Sequence, residues 1–193
     1  MNARKESKRN RLPSFTEEGV LPVGDYELTL DELRESALVL GPHKGVRSDH
    51  WDADCRRSLV DNLSILVRQL WQIGITEIFV GGSFVEDKDH PNDIDGYFEC
   101  SFEDIKSGRL QHELNALDPY KVWTWSDASR KKVPGSSKPQ LPMWRRYRVE
   151  LFPHFGQLSG IRDRHGNEME FPAALRLSRL WIPKGIIKIV RDG

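Results

Sequence analysis

The strongest periodicity in the chain runs from residue 52 to 73. There Leu59, Val60, Leu63, Leu66, Val67, Leu70 and Trp71 recur at steps of three and four. That spacing predicts one apolar stripe along a helix, and Gly74 supplies a C-terminal stop. The pattern then changes. "ITEIFV" is β-branched and aromatic and ends at Gly81, which predicts a buried strand. "DIDGYFE" (93–99) predicts a second strand, and "SFEDIKSGRLQHELNAL" (101–117) a weaker helix with Leu110, Leu114 and Leu117 on one face. "KVWTW" (121–125) predicts a third strand. "RRYRVELF" (145–152) alternates, predicting a fourth strand with Tyr147, Val149 and Leu151 on one side and Arg148 and Glu150 on the other. "KGIIKIV" (184–190) is a further strand candidate.

The remaining stretches are turn-rich. Residues 126–141 read as a long polar loop, and "DRHGNEMEF" (163–171) as a hairpin or loop. "LPSFTEEGVLPVGDYELTL" (12–30) has Pro and Gly at intervals that favour an extended arm. Thr29 with Glu32 fits a capping box and predicts a short helix through "LDELRES". Residues 1–11 carry Arg4, Lys5, Lys8, Arg9 and Arg11 and read as a disordered basic tail. The expected architecture is α/β in the α+β sense: a small mixed β-sheet flanked by helices. It forms one domain over 12–193, with a motif-bearing core at about 52–152 and an extension over 153–193.

Composition adds little. The 29 basic and 29 acidic residues among 193 cancel, so no global field selects nucleic acid or membrane as a partner. Nothing approaches the ~20 apolar residues of a membrane span. Cys55 and Cys100 stand outside any CxxC pattern and read as free thiols. With no secretory h-region in the basic start, the expected location is cytoplasmic.

The candidate chemistry lies in "GGSFVEDKDHPNDIDGYFEC" (81–100). Asp93 and Asp95 differ by two, so on a strand they share a face and repel unless a cation sits between them. Hard oxygen ligands suit Mg²⁺ or Mn²⁺ together with substrate phosphates. A third carboxylate on a neighbouring strand would complete such a centre, and Glu150 is the leading candidate, with Glu99 its rival. Gly81, Gly82 and Ser83 form a turn after a strand, where backbone N–H groups and a hydroxyl can receive phosphate.

Gly82-Ser83, then Asp93-Ile94-Asp95, then Val149-Glu150-Leu151 resemble the polymerase-β-like nucleotidyltransferase superfamily, and the flanks "LPSFTEEGVLPVG" (12–24) and "KGIIKI" (184–189) resemble those of a small bacterial branch of it. The resemblance covers about residues 52–152. It implies that the Gly-Ser turn binds NTP phosphates and that Asp93 and Asp95 bind divalent metal. Glu150 would complete the site and activate the acceptor hydroxyl. The implied activity is Mg²⁺-dependent transfer of NMP from an NTP to a tRNA or protein acceptor, in the context of a toxin–antitoxin or phage-defence module. The chain departs from the pattern at Gly96, where the superfamily usually has an apolar strand residue. The spacer is also unusually acidic at Glu86, Asp87 and Asp89.

Simpler readings compete at each position. Asp93 and Asp95 read also as a solvated strand end, Gly81-Gly82 as a tight turn, and Glu150 as an exposed strand residue paired with an arginine such as Arg148. Arg145, Arg146, Arg148, Lys131 and Lys132 form either a basic strip for RNA or triphosphate or a solvated face. Trp123, Trp125 and Trp144 read as packing residues, with base stacking the alternative. His154 and His165 lack zinc-ligand spacing. At the level of function, the rivals are a catalytically weak module of the same fold that binds a nucleotide or partner protein, and an antibiotic-modifying nucleotidyltransferase.

Overall fold

A computed structural model describes residues 12–42, 50–136 and 138–192. The basic tail expected over 1–11 lies outside them. The strands are β1 (Asp25–Leu28), β2 (Ile78–Gly81), β3 (Ile94–Glu99), β4 (Val149–His154), β5 (Leu158–Arg162), β6 (Glu168–Glu170) and β7 (Ile186–Ile189). The helices are α1 (Leu30–Arg34), α2 (Ala37–Leu40), α3 (Ala53–Gln72), α4 (Phe102–Lys106), α5 (Arg109–Leu117), α6 (Pro142–Tyr147) and α7 (Phe171–Ala174).

Five strands form one mixed sheet in the order β1-β7-β2-β3-β4. Its β1/β7 and β3/β4 pairs are parallel, and β2 runs antiparallel to both of its neighbours. A separate β5–β6 hairpin turns through 163–167, where Asp163 Oδ1 accepts from the backbone N–H of both His165 and Asn167. The α+β class with a small mixed sheet and flanking helices is the architecture observed. Among the described residues, no helix is long and apolar enough to cross a membrane.

Strand alternation divides the sheet into two faces. Ile78, Val80, Ile94, Phe98, Val149, Leu151, Ile187 and Ile189 point into the main core, against the stripe of α3 (Leu59, Leu63, Leu66, Leu70). The opposite face carries Phe79 and Tyr97, stacked at 4.8 Å, together with Ile186, and is covered by Leu175 and Phe171. Asp95 lies on that second face, two residues from Tyr97, and Glu150 beside Phe152. The acids therefore face the C-terminal extension, not the helical core.

Several expectations need correction. "KVWTW" forms no strand. Trp123 is fully buried, but its backbone N–H and C=O are satisfied by the side chain of Asn115 at 3.0 and 2.7 Å, replacing a strand neighbour. "RRYRVELF" is a strand only from Val149. Pro142 opens α6, which runs through Tyr147, and Arg148 (φ 55°) turns the chain into β4. The 101–117 helix breaks at Gly108 (φ 72°), and Leu117 is exposed while Leu110 and Leu114 are buried. β2 starts at Ile78, so Ile75–Glu77 precede it. The Thr29–Glu32 capping box is present in full.

Candidate active site

Three segments meet at one cavity of about 1270 Å³. The turn Gly82–Val85 leaves the end of β2 as a short 3-10 segment. Gly81 pairs with Asp95 across the β2–β3 ladder, and Asp95 pairs in register with Glu150 across β3–β4. Neighbouring strands lie about 4.8 Å apart, so the turn, Asp95 and Glu150 form a row across the sheet. Asp93 does not lie on the strand, as the sequence suggested, but immediately before it. Its Oδ2 accepts from the indole Nε1 of buried Trp144 at 2.7 Å. Asp93, Asp95, Glu150 and Ser83 all line the cavity.

Two glycines make this row geometrically feasible. Gly82 has φ 62°, and a Cβ there would lie 2.4 Å from Asp95 Oδ2, so the missing side chain lets the carboxylate close on the turn. At Gly96, a Cβ would meet Phe79 O at 2.4 Å and Leu151 Cδ2 at 2.7 Å. Gly96 therefore leaves β3 continuous: the residue is small because β2 and β4 press against it.

The electrostatics are those of crowded carboxylates. Burial, followed by repulsion from Asp93 and Glu150, pushes the Asp95 carboxyl up to about 7 despite Lys184 and Arg179. Burial also raises Glu150, partly offset by Arg130. Arg130 Nη1 stands 3.7 Å from Glu150 Oε1, too far for a hydrogen bond. That oxygen is buried without a hydrogen-bond partner. The arginine beside Glu150 is thus Arg130, not Arg148. The Arg148 guanidinium lies over the Trp144 ring, 3.9 Å from its centroid. Glu99 turns away to His154, whose Nδ1 and Nε2 face Glu99 and Glu170 at 3.0 and 3.1 Å, giving that histidine a structural role.

The extension supplies what the local motifs did not reveal. Lys184, almost wholly buried, donates to Gly82 O at 2.6 Å and pairs with Glu86. Glu86 is thereby neutralised, which removes one charge of the acidic spacer from the cavity. Arg130, Lys138, Arg148 and Arg179 also line it. Of the five cations read as a basic strip, only Arg148 lines this cavity; Arg146 instead stacks on Tyr120 at 4.0 Å. Trp144 packs, as expected, and also holds Asp93. Trp123 and Trp125 donate to Gln69 Oε1 and Leu151 O. No local signal marks Arg130 or Arg179, and Lys184 reads in sequence only as the start of a strand.

Residues 13–190 match the model of the Family of unknown function (DUF6932), and the chain belongs to that family. No curated protein and no solved structure matches it.

Proposed function

We propose that this DUF6932 protein is a nucleotidyltransferase that moves a nucleoside monophosphate from an NTP to an acceptor hydroxyl and releases pyrophosphate. The observation that carries the reading is the in-register Asp95–Glu150 pair, with Glu150 Oε1 buried and lacking a hydrogen bond. Repelling, partly buried carboxylates beside a glycine-serine turn fit a divalent cation, and Asp93, Asp95 and Glu150 are the residues that would hold Mg²⁺ or Mn²⁺. When bound, such an ion screens phosphate charge and stabilises the charge that develops during transfer.

The chain's own groups divide the remaining work. Backbone N–H groups of the Gly82–Ser83 turn and the Ser83 hydroxyl donate to phosphate oxygens. Arg130, Lys138, Arg148 and Arg179 offset the charge of the triphosphate from the cavity wall, and Lys184 holds the turn from beneath through Gly82 O. Trp144 fixes the orientation of Asp93. The Glu150 carboxylate takes the proton of the acceptor hydroxyl as the hydroxyl oxygen bonds to the α-phosphorus and the bond to pyrophosphate breaks. A carboxyl raised by burial is better matched to that task near neutral pH. For the acceptor, a tRNA or a partner protein in a toxin–antitoxin or phage-defence module is the reading we carry forward.

The test is incubation with Mg²⁺ and the four labelled NTPs, with total tRNA or a neighbouring gene product as acceptor. One acceptor should be labelled. Asp95→Ala should abolish labelling, while Ser83→Ala should lower it only about two- to thirteenfold, since a neutral hydrogen bond is worth about 0.5–1.5 kcal/mol. NTP binding without transfer to any acceptor supports the binding module instead. Labelling that survives Asp95→Ala removes the acids from the mechanism.

A further inference from the structure

The first turn of α3 and the spacer loop bring together three donor atoms of a different chemical kind. Asp52 caps α3, its Oδ1 accepting from the Cys55 N–H at 2.8 Å. Its Oδ2 meets His90 Nδ1 at 2.9 Å, and the far ring nitrogen, Nε2, lies 3.7 Å from Cys55 Sγ. One oxygen, one sulfur and one nitrogen thus lie within 4.8 Å of one another. In the tautomer whose Nδ1 proton goes to the carboxylate, Nε2 carries a free lone pair 3.7 Å from the sulfur.

The fold fixes this arrangement from both sides. Cap and cysteine are three residues apart on one helical turn, so they share a face. His90 is delivered by a loop pinned back onto α3. Asp52 N–H donates to Asp89 O at 2.9 Å, and the buried Arg56 guanidinium donates to Glu86 O and Lys88 O at 2.9 and 2.6 Å. Cys55, His90 and Pro91 line the same cavity as the acids.

We propose that Cys55 Sγ and His90 Nε2 bind a zinc-class divalent ion, with Asp52 orienting the imidazole through Nδ1. A thiolate at about 2.3 Å and an imidazole nitrogen at about 2.0 Å from one tetrahedral zinc lie about 3.5 Å apart. The observed separation is 3.7 Å. A carboxylate on the far ring nitrogen is the outer contact that sets tautomer and ring direction at such centres. Sulfur and nitrogen donors select this class of ion over Mg²⁺, which takes oxygen. Two protein ligands leave coordination positions for exchangeable groups, unlike a closed structural zinc centre. The site does not depend on the nucleotidyl-transfer reading.

The experiment is titration of the full-length, chelator-treated protein with Co²⁺ alone, followed by displacement with Zn²⁺. A sulfur-to-cobalt charge-transfer band should saturate near one equivalent and be bleached by Zn²⁺. Cys55→Ser should remove the band, and His90→Gln should remove or strongly weaken it. Asp52→Asn keeps a good helix cap but should weaken affinity about 10- to 100-fold. The double variant Asp93→Asn/Asp95→Asn should keep the band, separating this site from the acids. Cys100→Ser should also keep it. Absence of the band at several equivalents overturns the proposal, as does a band that survives Cys55→Ser or is lost with Cys100. If Cys55→Ser fails to fold by circular dichroism, exposed His90 decides, and an unchanged band in His90→Gln refutes the site.

Discussion

Replacing Asp95 with asparagine should make the metal-free protein more stable at alkaline pH. The native carboxyl is raised from 3.8 to about 7, first by burial and then by Asp93 and Glu150. Between those two values, the native state holds a proton that the unfolded chain releases, so stability falls as pH rises. The contribution is fully present below pH 3.8 and is lost by about pH 7. A gap of that size between native and unfolded carboxyl corresponds to about 4 kcal/mol at pH 8. Asparagine carries no charge at any pH and escapes the penalty. Any constant cost of the amide cancels when two pH values are compared. The advantage of Asp95→Asn over wild type should therefore grow by about 2–3 kcal/mol from pH 5 to pH 8. Urea denaturation in EDTA at both pH values reads this directly. Mg²⁺ at about 100 times its Kd should then return about 2.7 kcal/mol to the wild type and nothing to the variant. At about 2–4 °C per kcal/mol for a chain of this size, Mg²⁺ should raise the wild-type melting temperature and leave that of the variant in place. A gap independent of pH, or equal Mg²⁺ stabilisation of both proteins, would refute the crowded-carboxylate account.

Two further substitutions probe the supports of the site. Gly82→Ala forces a side chain into positive φ, at about 1–2 kcal/mol, and drives a Cβ against Asp95 Oδ2. It should abolish the Mg²⁺-induced melting shift while leaving the fold intact by circular dichroism, and a full shift would mean that Asp95 is not held by the turn. Arg56→Met removes a buried guanidinium that donates to Leu38 O, Phe84 O, Glu86 O and Lys88 O. Four stranded carbonyls at about 1–3 kcal/mol each should cost at least about 4 kcal/mol in urea denaturation, and a loss below about 1 kcal/mol would show that solvent reaches them.

Elements whose stability is local are legible in the chain alone. The three- and four-residue steps from Leu59 to Leu70 specify α3 because only one helical face then leaves water. Thr29 and Glu32 specify the start of α1 because the capping bonds lie within four residues. The carboxylates and the Gly-Ser turn were legible as chemistry from their residue types. Whatever depends on a distant partner was settled only by folding. Val122 and Trp123 look like strand residues, yet Asn115 takes the hydrogen bonds that a neighbouring strand would have made to Trp123. Tyr147 shares the alternation of Val149 and Leu151, but its hydroxyl donates to Asp118 from the end of a helix. Register across β3 and β4 sets Glu150, not Glu99, beside Asp95 and leaves Glu99 to His154. Chain folding alone brought Lys184 beneath Gly82, 102 positions away, and set His90 between Asp52 and Cys55. Such contacts leave no trace in local pattern, because the energy that selects them comes from burial and charge shared between segments that meet only in the folded chain.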